Sequence, residues 1–151
     1  MRGWLWLPIC VVLWSLGWSS SLLAADMKLR VQLIWGTDYD KPADNRKIKD
    51  LDAKLKEKIK NVKLFRWKNY FEVDREVLTV KNRESKLTSM SHKCVIELKH
   101  LGDTNLEVRL YGEGKLVQTV RQQLPPGEIL LLAGDDKEKF NDGWIVAVSQ
   151  E

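Results

Sequence analysis

The sequence predicts a mainly β protein, a small antiparallel β-sandwich or partly open barrel with one amphipathic helix near the N-terminus. Three observations carry that expectation. From Lys28 onward, short runs alternate apolar and polar side chains, as strands with one face in a core do. Clusters of Gly, Pro and Asp separate the runs at short intervals. Only the stretch from Arg46 to Val62 changes to a helical period.

Taken in order, Leu29, Val31, Leu33 and Trp35 share one parity and Lys28, Arg30 and Gln32 the other, so the first strand has one wet face. Gly36 to Asp44, with Pro42, is a turn-rich connection. Ile48, Leu51, Leu55, Ile59 and Val62 then fall within about 80° of arc at 100° per residue, which predicts a helix over this segment. Lys63 to Val73 reads as a strand with Phe65, Trp67, Phe71 and Val73 inward and Arg66, Lys68, Tyr70 and Glu72 outward. Val77 to Val80 continues it after a bend, and Leu87 to Met90 is a further short strand. Cys94 to Lys99 and Leu106 to Tyr111 alternate about a Gly102-Asp103 turn, and Gly112-Glu113-Gly114 closes a second hairpin onto Leu116 to Gln123. After Pro125-Pro126-Gly127, Ile129 to Leu132 is apolar on both parities, as a strand covered on both faces would be. A charged loop, Gly134 to Gly143, leads into the last strand, Trp144 to Ser149.

Composition narrows the classes. The 151 residues include 25 Lys and Arg against 21 Asp and Glu; 30% charged and 44% hydrophobic excludes a long disordered polyelectrolyte and a polytopic membrane protein. Arg2 precedes an uncharged stretch from Gly3 to Ala25 whose apolar centre gives way to small residues, the layout of a secretory leader. Residues 1–25 are therefore expected to be a signal peptide cut after Ala25, or an uncleaved anchor, and residues 26–151 a single β-rich domain. Either reading makes the domain periplasmic or secreted. Cys10 lies behind bulky Ile9, unlike an acylation site, so a lipoprotein is set aside. Without residues 1–25 the charge is +3 and Cys94 is the one cysteine, so no disulfide can form within the chain.

The blocks Phe65-Arg66-Trp67-Lys68-Asn69-Tyr70-Phe71-Glu72-Val73, Leu106-Glu107-Val108-Arg109-Leu110, and Ala133-Gly134-Asp135-Asp136 with Trp144-Ile145-Val146 resemble a group of small exported bacterial β-rich proteins of unassigned function. The resemblance covers most of the chain after the leader. It implies an exported β domain and transfers no functional residue, because these blocks are strand patterns.

Charge gives the most informative candidate surface. From Arg46 to Lys63 there are eight basic and three acidic residues, a balance of +5 that leaves −2 for the rest of the chain after residue 25. On a helical wheel Lys49, Lys56, Lys60 and Lys63 line one flank of the apolar stripe and Lys47, Lys54 and Lys58 the other. The bland reading is a helix packed on a sheet with a solvated rim. The functional reading is a contact surface for lipid head groups, cell-wall polymer or an acidic partner. Arg66, Lys68, Tyr70, Arg109 and Tyr111 share outward parity and would form a polar-aromatic face if their strands were neighbours, while Trp35, Trp67 and Trp144 read as core.

Other clusters read as structural. His92, Cys94 and His100 share parity with Ile96 and Leu98, which makes Cys94 a small, inert buried group. Asp38 and Asp40, with Asp135, Asp136, Glu138 and Asp142, could converge on a calcium ion, but their order is not that of a calcium loop. No cofactor or metal is expected. The expected function is a non-catalytic extracytoplasmic interaction module with candidate contact residues Lys49, Lys56, Lys60, Lys63, Arg66, Lys68 and Tyr70. Its partner would be a protein or anionic polymer in the cell envelope or outside the cell. Nucleic acid is not expected, and membrane contact is expected only through a retained N-terminal segment. The alternatives are a small hydrolase using loop carboxylates and a structural envelope component.

Overall fold

The computed structural model describes residues 25–40, 48–133 and 142–151. All of the proposed leader but Ala25 lies outside them. Among the described residues no helix is long and apolar enough to cross a membrane.

The protein is mainly β, with two antiparallel sheets. Strands β1 (Met27–Thr37), β2 (Lys49–Asp50), β3 (Asn69–Val80), β8 (Ile129–Ala133) and β9 (Asp142–Gln150) form the first, in the order β2-β3-β1-β9-β8. Strands β4 (Ser85–Ser91), β5 (Cys94–Gly102), β6 (Asn105–Gly112) and β7 (Lys115–Gln123) form the second, in sequence order. Each neighbour in the second sheet is joined by a tight turn. Glu113 and Gly114 both adopt positive φ, 49° and 77°, as a two-residue hairpin of primed type requires.

The alternation of each strand decides which core it feeds. Leu29, Val31 and Leu33 of β1 pack with Val146 and Val148 of β9, Leu130 and Leu132 of β8, Ile96 and Leu98 of β5, and Leu106, Val108 and Leu110 of β6. The two sheets thus share one aliphatic core, an arrangement compatible with a β-sandwich. A second core lies on the other face of the first sheet. There Ile34, Tyr70, Ile145 and Ala147 meet Leu51 and helix α1 (Ala53–Lys60), with Ile129 and Leu131 packed against them. Strand β8 feeds both cores, which bears out the reading of its unbroken apolar run.

The helix is shorter than its periodicity suggested. It does not lie near the N-terminus but follows two strands, spanning only Ala53–Lys60. Asp52 caps it, accepting a hydrogen bond from the Leu55 backbone N–H at 2.9 Å. Leu55 and Ile59, one turn apart, are buried, and Lys58 and Lys60 sit at the negative end of the helix dipole. Before it, Lys49 and Asp50 pair with Glu72 and Phe71 of β3, so this backbone is committed to a ladder. Arg46 and Lys47 lie outside the described residues.

Strand β3 starts later than its alternation suggested. Turns with backbone bonds from Val62 N–H to Ile59 O (3.1 Å) and Phe65 N–H to Val62 O (3.0 Å) carry the chain off the helix, and the strand begins at Asn69. Phe65 and Trp67 alternate because both turn onto the second core, not because this segment is a strand. One residue is extra on β3 between the partners of Leu33 and Ile34, so that strand runs bulged and unbroken to Val80.

Candidate functional site

The end of the first sheet farthest from Met27 concentrates the chain's unusual chemistry. The shared core between the sheets is aliphatic, whereas Trp35, Tyr39, Phe65, Trp67, Tyr70, Phe71 and Trp144 all gather at this end.

On the helix side the arrangement depends on two glycines. Gly36 of β1 and Gly143 of β9 are register partners, and the Trp67 indole lies flat across them. A β-carbon at Gly36 would stand 2.4 Å from Trp67 Cε3, and one at Gly143 would stand 2.5 Å from Trp67 Cη2. Phe65 stacks on Trp67 with ring centroids 6.3 Å apart, and Tyr70 meets it edge-on at 6.3 Å. This lock holds the turn between α1 and β3 on the sheet. Tyr70, expected to face outward, is buried at 6% exposure, because strand parity directs it beneath the helix. Burial pushes its phenol above the ordinary value, with a smaller contribution from Asp38 and an opposing one from the Trp67 backbone.

On the face toward the second sheet, Phe71, Trp35 and Trp144 form one row across β3, β1 and β9. Trp35 lies 6.2 Å from Phe71 and 6.5 Å from Trp144, and its Nε1 donates to Asp142 Oδ2 at 3.1 Å. None of the three belongs to either core, and Trp144 is 37% exposed. The expectation that Trp35 and Trp144 are core residues is therefore corrected: the first sheet carries its inward parity past the last aliphatic row. Trp67 packs at the margin of the second core.

Lys49 lies on β2, Lys56 and Lys60 on α1, and Lys63, Arg66 and Lys68 on the connection to β3, all exposed. Among the described residues none of these six forms an ion pair; Arg66 Nε donates to the Lys63 carbonyl at 3.3 Å, and the Lys68 N–H to Asp38 Oδ1 at 3.0 Å. Lys54 Nζ donates to the Gly127 carbonyl at 2.6 Å, pinning the helix to the turn before β8. Between Lys63 and Phe65, Leu64 is 83% exposed.

The strands that carry Arg66, Lys68, Tyr70, Arg109 and Tyr111 are not neighbours, so these residues make no shared polar-aromatic face. The first three belong to the end of the first sheet, and the last two to the outer face of the second. There Glu97 accepts from Arg109 (3.3 Å) and the Tyr111 hydroxyl (3.2 Å), and Glu107, 2% exposed, lies between Arg109 and Arg121. The Arg121 hydrogen bond and the Arg109 charge hold the Glu107 carboxyl below its ordinary value against the opposing effect of burial.

The His92, Cys94 and His100 set is dispersed. His92 is exposed in a turn, Cys94 packs half-buried against the shared core, and His100 is buried with Nε2 donating to the Asp103 carbonyl at 2.9 Å. Burial pushes the Cys94 thiol up, away from the reactive thiolate. Among the described residues no three His, Cys, Asp or Glu side chains converge as metal ligands; Asp135, Asp136 and Glu138 lie outside them. Comparison with protein-family models, curated proteins and solved structures gave no match.

Proposed function

We propose that the chain is a small periplasmic or secreted β-sandwich that binds an anionic macromolecular partner through α1 and the turn that follows it. One observation carries this reading: from Lys49 to Lys68 there are eight basic and three acidic residues, and among the described residues no ion pair forms within the segment or to it. Six of the eleven described basic residues elsewhere, Lys28, Arg30, Arg75, Lys93, Arg109 and Arg121, do meet carboxylates. Unpaired cations gathered on one surface leave a local positive field to be met from outside.

The test is retention of residues 26–151 on a polyaspartate resin at low salt. Release is expected by about 0.5 M salt, where the Debye length is only a few Å. Changing exposed Lys56, Lys60 and Lys63 to Glu should abolish retention, and changing exposed Lys81, Lys86 and Lys115 to Glu should leave most of it. Equal loss from both triple variants would show a response to net charge alone and defeat the reading.

A further inference from the structure

We infer that the end of the first sheet opposite Met27 docks on a lipid bilayer containing anionic headgroups, with Leu64 entering the acyl boundary. The inference rests on the basic surface proposed above and names its partner.

A single exposed leucine is ordinary on a protein surface. The setting of Leu64 is not. Val62 and Phe65 are half-buried, Phe65 against the second core, and the Trp67 lock on Gly36 and Gly143 fixes the turn so that Leu64 is left at 83% exposure. Lys60, Lys63, Arg66 and Lys68 surround it in the chain, all exposed. Two further exposed large side chains share this end of the sheet, Tyr39 at 57% and Trp144 at 37%. The Tyr39 carbonyl accepts from Asn69 Nδ2 at 3.0 Å, which places it beside the start of β3.

An aliphatic tip, amphipathic aromatic residues at the same end of the sheet and a run of cations are the three groups that partition respectively into acyl chains, the interface and anionic headgroups. A soluble polyanion would meet the cations and leave the leucine in water. Asp38, Asp40 and Asp142 at this end offset part of the field, but eight basic against three acidic residues from Lys49 to Lys68 leave the surface net positive. Register places Met27 opposite Val80 and Thr37 opposite Asn69, so this contact lies at the other end of β1 from Met27.

The experiment is co-sedimentation of residues 26–151 with vesicles at low salt. This piece contains every residue of both cores. Vesicles of phosphatidylcholine alone are compared with phosphatidylcholine and phosphatidylglycerol at roughly three to one. Binding is expected only to the mixed vesicles, about tenfold weaker for Leu64→Ser, undiminished for Leu64→Trp, and lost for Lys60→Gln, Lys63→Gln and Arg66→Gln combined. An unchanged melting temperature for Leu64→Ser confirms that the fold is intact. Undiminished binding by Leu64→Ser overturns insertion. Retention on polyaspartate without binding to mixed vesicles overturns the lipid assignment but keeps the anionic contact, and failure on both removes the contact itself.

Discussion

Replacing Gly36 by Ala should destabilise the protein through one side chain, Trp67. Gly36 lies within β1 and has no positive φ, so the backbone accepts alanine there, and the lower entropy of the unfolded chain would favour it by about 0.5–1 kcal/mol. The new methyl would stand 2.4 Å from Trp67 Cε3 and 2.9 Å from Cδ2, where carbon atoms normally rest about 3.5–4.0 Å apart. The indole must then withdraw by about 1 Å, pulling Phe65 and the following turn with it; overpacking of this kind costs about 1–3 kcal/mol.

The net loss is expected to be about 1–2 kcal/mol, or roughly 3–8 °C in Tm for a domain of this size. With Trp67 already changed to Ala, the clash is gone and only Tyr70 Cε1, 3.1 Å away, still crowds the site. Gly36→Ala should then be neutral or slightly stabilising, so that a double-mutant cycle gives a coupling of about 2 kcal/mol. Urea unfolding followed by far-UV circular dichroism measures all four corners. Equal destabilisation by Gly36→Ala in both backgrounds would refute the reasoning, because it would place the cost in the backbone rather than under the indole.

Two further outcomes follow from the ionisable groups. Glu107 has a folded pKa below its ordinary value, chiefly through the Arg121 hydrogen bond, so its stabilisation is complete above the unfolded-state value of about 4.3 and is lost as pH falls through the folded one. Glu107→Gln should flatten that acid limb in unfolding titrations, and an unchanged limb would exclude the pair as its source. Cys94, raised by burial, should react with a disulfide reagent at pH 8 at least about tenfold more slowly in the native protein than in urea. Equal rates in the two states would mean that the thiol stands in water.

By itself the sequence determined the class of fold and most of its strands. Alternation found β1 and the hairpin of β5 and β6, because apolar and polar side chains alternate along these strands and their parity can be read directly, and the Gly112-Glu113-Gly114 turn announced β7. The doubly apolar Ile129 to Leu132 correctly announced a strand between two layers. The excess of lysine around the helix was equally visible, since charge needs no partner to be counted.

Only the tertiary structure decided where helix and strand begin and what the aromatic residues do. Ile48 and Leu51 keep the helical spacing, yet pairing of Lys49 and Asp50 with β3 takes the backbone first. Phe65 and Trp67 mimic a strand's alternation while lying on a turn, and the two glycines that receive the indole are 107 residues apart in the chain. Trp35 and Trp144 have the parity of core residues but sit one row beyond the core's end, and parity says which face a side chain takes without saying how far the opposing sheet reaches. That exposed Leu64, Tyr39 and Trp144 share one end of the first sheet is likewise a property of register and folding back. Local pattern specifies the face of each element; the edge of the layer opposite it is set by contacts between segments distant in sequence.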